Sequence, residues 1–132
     1  ICAITTPSNL KASERLLMIN SNMETILTNY KPTICGIEKL FFSKNVKTAM
    51  QVSEARGVIL CNLEKFKIPY YEYSPTQIKL AIIGNGQAEK KQIQFMTKEL
   101  LNLEKIPKPD DTADALAIAI CHHHSHSLRS LV

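Results

Sequence analysis

The sequence predicts an α/β fold, and three observations predict it. Short runs rich in β-branched and aromatic residues, Thr33 to Ile37 and Tyr70 to Tyr73, alternate with longer stretches whose apolar residues recur at helical spacing. A stretch long enough for a full helix separates the two runs, so the strands they form are expected to be parallel. Proline, glycine and asparagine at Pro32, Pro75, Gly84-Asn85-Gly86, Pro107 and Pro109 mark boundaries between segments.

Taken in order, Ile1 to Thr5 reads as the tail of a strand. Ser8 or Ser13 then offers an N-cap to a helix with the apolar stripe Leu16, Ile19, Met23, Ile26, Leu27 and Tyr30, and Lys31-Pro32 stops it. Thr33 to Ile37 follows as a buried strand that delivers Glu38 at its C-terminal end. Leu40 to Asn45 is a loop. From Val46 to about Phe66 the spacing is helical, and Gly57 inside it costs ~1 kcal/mol relative to alanine unless close packing requires it. Tyr70 to Tyr73 is the next strand. Ser74-Pro75 supplies an N-cap and a proline at the first helical position for a helix through Thr76 to Ile83, which Gly84-Asn85-Gly86 breaks. A further helix runs from Ala88 to about Leu103. After a loop at Pro107 and Pro109, a last helix carries Ala113 to Ile120. The order is strand, helix, strand, helix, strand and then helices, without an internal repeat.

A chain of 132 residues with 45% apolar and 21% charged residues is expected to form a single domain, 1–132, around its own core. The longest apolar run, Ala115 to Cys121, is far short of the ~18 residues of a membrane span, which predicts no membrane association and, with no leader pattern, a cytoplasmic protein. Cys2, Cys35, Cys61 and Cys121 are far apart and embedded in apolar stretches, as buried free thiols are in a reducing compartment. Charge is unevenly spread. Residues 38 to 109 hold twelve Lys and Arg against seven Glu, while residues 110 to 132 hold one Arg against three Asp. A basic body with an acidic focus suits a polyanion held by lysines and cut at a carboxylate-held metal, although a mildly basic surface also serves ordinary solvation.

All three aspartates fall within five residues, Asp110, Asp111 and Asp114, at the head of the last helix. Asp111 and Asp114 share a face three residues apart. Ligands in open α/β sheets bind outside the carboxyl ends of strands, where Glu38 lies. Glu38, Asp111 and Asp114 together offer hard oxygen donors that select Mg²⁺ or Mn²⁺, and two such ions support phosphodiester hydrolysis. The alternative is a helix N-terminus decorated with acids for its dipole. Cys121-His122-His123-His124-Ser125-His126 also invites a metal reading, but His122 lies eleven residues past Asp111, about 16 Å along a helix, too far to share its ion. These histidines are expected in a last helical turn, meeting the carbonyl end of the dipole.

The chain resembles the RuvC family of bacterial crossover junction endodeoxyribonucleases, which are ribonuclease H-like. The resemblance is carried by Ile37-Glu38 with Phe41 and Lys44-Asn45; Glu54-Ala55-Arg56-Gly57; Tyr73 and Gln77-Ile78-Lys79; Gly84 to Lys90; and Asp111 to Ala119. These segments occur in family order from about Ser13 to His124. The resemblance implies a mixed sheet flanked by helices, with Glu38, Asp111 and Asp114 as ligands of Mg²⁺, or Mn²⁺, as two ions per site. It implies Lys79 and Lys90 as catalytic cations near the scissile backbone that stabilise negative charge in the transition state. Phe41 would stack on unpaired bases, whereas Phe42 reads as core; Lys44 and Arg56 would contact phosphate, or form a surface charge and an intrahelical ion pair. Asp110 has no counterpart and reads as an N-cap or dipole partner. The implied activity is resolution of four-way DNA (Holliday) junctions by symmetric nicks from a homodimer in recombination and repair, with RuvA and RuvB as partners.

The chain departs from the family pattern at its start. RuvC proteins open with a strand carrying Gly-Ile-Asp-Pro-Gly and a second strand antiparallel to it, and neither is present here. The expectation is that about thirty residues precede Ile1 in the intact protein, from family spacing and strands of ~5 residues. Without the first aspartate, the chain as written is expected to be inactive. Two rivals remain: a branched-DNA binding module, and another ribonuclease H-like nuclease acting on RNA–DNA hybrids.

Overall fold

The computed structural model describes residues 3–39 and 45–129, and the expected sites Phe41 and Lys44, with Phe42, lie outside them. The described chain runs α1 (Ala12–Tyr30), β1 (Cys35–Glu38), α2 (Val46–Lys65), β2 (Tyr70–Tyr73), α3 (Pro75–Ile83), α4 (Lys90–Leu100) and α5 (Asp110–Arg129). Residues 3 to 5 are not in a strand, so the expected N-terminal strand tail is not borne out for them. The chain divides into two compact units: the described residues within Ile4–Cys35 and Leu40–Tyr70, and those within Ile1–Ala3, Gly36–Lys39 and Tyr71–Val132.

The first unit pairs α1 with α2. Its core is Leu27, Leu63 and Ile68, flanked by Met23, Ile59, Leu60 and Phe66. Neither Ser8 nor Ser13 caps α1; Lys11 is the N-cap, and its N–H donates to the Glu14 carboxylate at 2.8 Å. Glu14 thus satisfies one of the four donors a helix start leaves open, without a hydroxyl. Tyr30, assigned to the apolar stripe, is 78% exposed, and within the last turn only Leu27 is buried. In α2, the Asn45 side chain accepts from the Thr48 N–H at 3.3 Å. A Cβ built on Gly57 would meet nothing within 4 Å, so no close packing offsets its helix penalty. The α2 end is a Schellman turn: Lys67 takes φ 57°, and the Ile68 N–H bonds the Leu63 carbonyl at 2.8 Å. The Asn62 amide donates to Asn20 at 2.9 Å and Lys65 pairs with Glu24 at 2.6 Å, tying the two helices.

The second unit places α3, α4 and α5 beside the sheet strands. The Cys35 N–H bonds the Pro69 carbonyl at 3.0 Å among the first unit's residues and the Lys39 N–H bonds the Tyr73 carbonyl at 2.9 Å among the second's, so β1 and β2 run parallel, as expected. The core joins Tyr73, Ile78, Ile82, Ala88, Ile93, Ala117, Ile118, Ile120 and Cys121. The Ser74 cap is borne out: its hydroxyl accepts from the Gln77 N–H at 3.2 Å, and the Gln77 side chain accepts from the Ser74 N–H at 2.8 Å. Gly84 closes α3 at φ 77°. Helix α4 is shorter than Ala88 to Leu103. Ala88 is buried ahead of the Glu89 cap, and a second Schellman turn with Asn102 at φ 50° ends the helix early.

Helix α5 continues to Arg129, so His122, His123 and His124 lie before its last turn and only His126 reaches it. His122 and His126 face β2: His122 Nδ1 lies 2.6 Å from the Tyr73 hydroxyl, and the Tyr71 ring packs against both at 5.3 and 5.1 Å, while His124 Nδ1 lies 3.1 Å from the Ala81 carbonyl on α3. Cys121 is buried, and burial raises its thiol pKa and that of Cys35, but Cys61 on α2 is exposed, contrary to its apolar neighbours in sequence. Among the described residues no helix is long and apolar enough to cross a membrane.

Candidate active site

Three helix starts and one strand end meet in the second unit. β1 ends on Glu38, α3 carries Lys79, α4 begins at Lys90, and α5 begins at Asp110. Glu38, Lys79, Lys90 and Asp114 line one cavity of ≈ 200 Å³ with Ile78, Ile93, Ala117 and Ile118 among its apolar walls. The close approach of β1 to α5 depends on Gly36: a Cβ there would lie 3.0 Å from Ile118 Cγ2 and 3.7 Å from His122 Cβ. That contact carries Glu38 to the α5 carboxylates.

The electrostatics are those of an acidic cluster with one cation inside it. Lys90 Nζ lies 3.2 Å from Asp114 Oδ2 and 3.9 Å from Asp110 Oδ2. A lysine at a helix start opposes the helix dipole, so this position relies on its acidic neighbours. Asp114, by hydrogen bond and charge, raises the Lys90 pKa, and Asp110 and Asp111 add to it. Glu38 goes the other way from an ordinary salt-bridged acid. Burial of its carboxyl, then repulsion from Asp114 and Asp111, raises its pKa against the pull of Lys90. Asp110 heads α5 and binds Lys108 at 2.7 Å, which holds its carboxyl below the usual carboxylate range. The dipole-partner role fits that placement. Lys108 was not singled out by sequence; its spacing two residues before Asp110 is the signal that identifies it.

The structure thus brings Glu38, Asp114, Lys79 and Lys90 together. Asp111 is exposed and off the cavity wall, yet its charge acts on both Glu38 and Lys90. Arg56 belongs to α2 in the first unit and is half-buried. Among the described residues no three His, Cys, Asp or Glu are gathered closely enough to hold a metal ion by themselves. The chemistry of the donors nevertheless fits a hard cation. They are carboxylates that repel one another, and the cluster already takes the Lys90 ammonium as counter-charge.

A family model described as crossover junction endodeoxyribonuclease RuvC matches residues 1–122. A relative of that name from Halothermothrix orenii is 52% identical over 126 residues, covering 96% of this chain and 76% of the relative. The one from Clostridioides difficile is 48% identical over 126 residues, covering 96% and 75%. Among solved structures, Thermus thermophilus RuvC in complex with Holliday junction substrate superposes with TM-score 0.90 at 31% identity, covering 95% of this chain and 76% of that one. A second Thermus thermophilus RuvC structure gives TM-score 0.86 at 31% identity, with 95% and 75% covered. The fold is accordingly the ribonuclease H-like one.

Proposed function

This chain belongs to the family of the crossover junction endodeoxyribonuclease RuvC, and from that premise we propose that it resolves four-way DNA junctions by metal-dependent hydrolysis of phosphodiesters at the α5 carboxylate site. The observation that carries the site assignment is the cavity in which two lysines face two carboxylates of separate elements. A site that must hold both a polyanion and its counter-cations needs both signs of charge. The family's metal dependence favours the nuclease over a binding module that never cuts.

Glu38 and Asp114, with Asp111 beside them, would hold Mg²⁺ or Mn²⁺, as two ions. Bound there, such ions supply an activated water and offset charge on the leaving oxygen. Lys79 reaches the cavity from α3, and its half-buried ammonium orients the scissile phosphate against the carboxylate wall. Lys90 stabilises negative charge developing on the phosphoryl oxygens. Apolar walls at Ile78 and Ile93 keep water away from one side of these charges, which strengthens them. This reading takes residues 1–132 as one nuclease domain, supported by a family match that runs through both compact units. It includes a homodimer placing paired symmetric nicks, RuvA and RuvB as partners, a bacterial cytoplasmic location, and base stacking by Phe41 with phosphate contacts from Lys44 and Arg56.

Cleavage assays on a four-way junction, a linear duplex and an RNA–DNA hybrid in Mg²⁺ test this reading. Junction-selective cutting is expected, and Asp114→Asn should abolish it while largely sparing junction binding. Selective cutting of the hybrid would favour another ribonuclease H-like activity. Turnover retained by Asp114→Asn would remove that residue from the site.

A further inference from the structure

The cavity carboxylates Glu38 and Asp114, with the exposed Asp111 beside them, surround one ammonium: Asp114 and Asp111 act on Glu38, and both act on Lys90. Lys90 Nζ sits 3.2 Å from Asp114 Oδ2 and 3.9 Å from Asp110 Oδ2, on the exposed side of the cavity where an incoming ion would arrive. An ammonium 3.2 Å from Asp114 Oδ2 and a divalent cation on that same oxygen repel each other. The ammonium is also flexible: it ends a four-carbon stem, it is 54% exposed, and it lies at the first residue of α4, so it can swing away without disturbing the core.

Resting on the metal-site reading above, we propose that Lys90 is the resident counter-cation of this cluster in the metal-free protein, and that a divalent cation binds by displacing its ammonium from Asp114. Loading and release are then one event. The lysine that neutralises the cluster before metal arrives becomes available to a phosphate only afterwards, so metal binding orders the site for substrate. The two cations are coupled negatively, and by linkage each weakens the other to the same extent.

Mn²⁺ binding, followed by calorimetry and electron paramagnetic resonance in the absence of DNA, tests the proposal without reference to turnover. An exposed ion pair of this kind corresponds to roughly a two- to fivefold change in equilibrium. Lys90→Gln should therefore bind Mn²⁺ about two- to fivefold more tightly than the wild type, whereas Lys90→Arg, which keeps the charge, should stay within about twofold of it. Charge removal alone also tightens binding, so displacement is read separately. The ¹³Cε and ¹⁵Nζ resonances of Lys90 should shift on Mg²⁺ titration with the midpoint of metal binding, while those of Lys65, paired with Glu24, stay fixed. Equal Mn²⁺ affinity in wild type and Lys90→Gln, or a Lys90 resonance indifferent to Mg²⁺, overturns the displacement and leaves the metal-site reading standing. No Mn²⁺ binding by any of the three proteins overturns both.

Discussion

In the proposed site Glu38 would carry two opposed demands: a cation ligand must be ionised, but in the metal-free chain ionisation adds a charge to a cluster that repels it. Burial and the neighbouring Asp114 raise its pKa. The folded chain therefore holds the proton more tightly than the unfolded chain does. That contribution to stability is fully present below the ordinary glutamate pKa and is lost as pH rises through the raised folded value. At pH 7 the ionised side chain is less favourable to folding than a neutral isostere. Glu38→Gln should raise the Tm of the metal-free protein at pH 7, and the gain should shrink as the pH approaches 4. Thermal melts at the two pH values read it directly; a variant that melts lower at pH 7 would show that the pull of Lys90 outweighs repulsion and burial. The same substitution should reduce the Tm increment produced by saturating Mg²⁺, because function and stability conflict at this residue.

At the scale of elements, the site depends on how closely β1 and α5 approach. A methyl group added at Gly36 would sit 3.0 Å from Ile118 Cγ2, with Ile118 almost fully buried. Overpacking of this kind costs about 1–3 kcal/mol. Gly36→Ala is expected to lose that much in urea denaturation, and Ile118→Ala, which removes the crowded Cγ2, should cost less in that background than in the wild type. Undiminished stability of the single variant would mean that the strand and helix are not in tight contact. Much of this arrangement is legible in sequence. Apolar periodicity, the Ser74-Pro75 start and the Gly84 stop all carry mechanisms that local residues decide, and the corresponding elements form where expected. The illegible parts have a common cause. Lys67 and Asn102 end their helices in left-handed conformations without glycine, and Glu14 caps α1 from inside the helix, so the usual markers are missing at those boundaries. The Tyr73–His122 contact links positions 49 apart in the chain, which no local pattern encodes. The shared face of Asp111 and Asp114 is legible from spacing, but the pairing of Asp114 with Lys90 depends on where α4 starts.

At the scale of the whole molecule, the relevant quantity is the distribution of charge. The chain carries a formal +4, yet its three aspartates cluster at the head of α5, where the proposed function places the phosphate to be cut. Such a protein gains affinity for DNA by releasing condensed counterions over its basic surface, and surrenders part of it at the acidic site. Each neutralised phosphate contributes about −0.9 to the slope of log binding constant against log salt on duplex DNA. Lys79 faces the cavity as a phosphate contact in this reading, so Lys79→Gln should weaken junction binding and make the slope shallower by roughly one. Asp114→Asn acts oppositely in the absence of metal. It removes a negative charge from the path of the backbone, so binding in EDTA at low salt should tighten, and that advantage should fade as salt screens the site. Fluorescence anisotropy of a labelled junction over a salt series measures both effects. A slope unchanged by Lys79→Gln would take that lysine out of the phosphate contacts, and weaker low-salt binding by Asp114→Asn would mean that the acidic focus does not face the DNA.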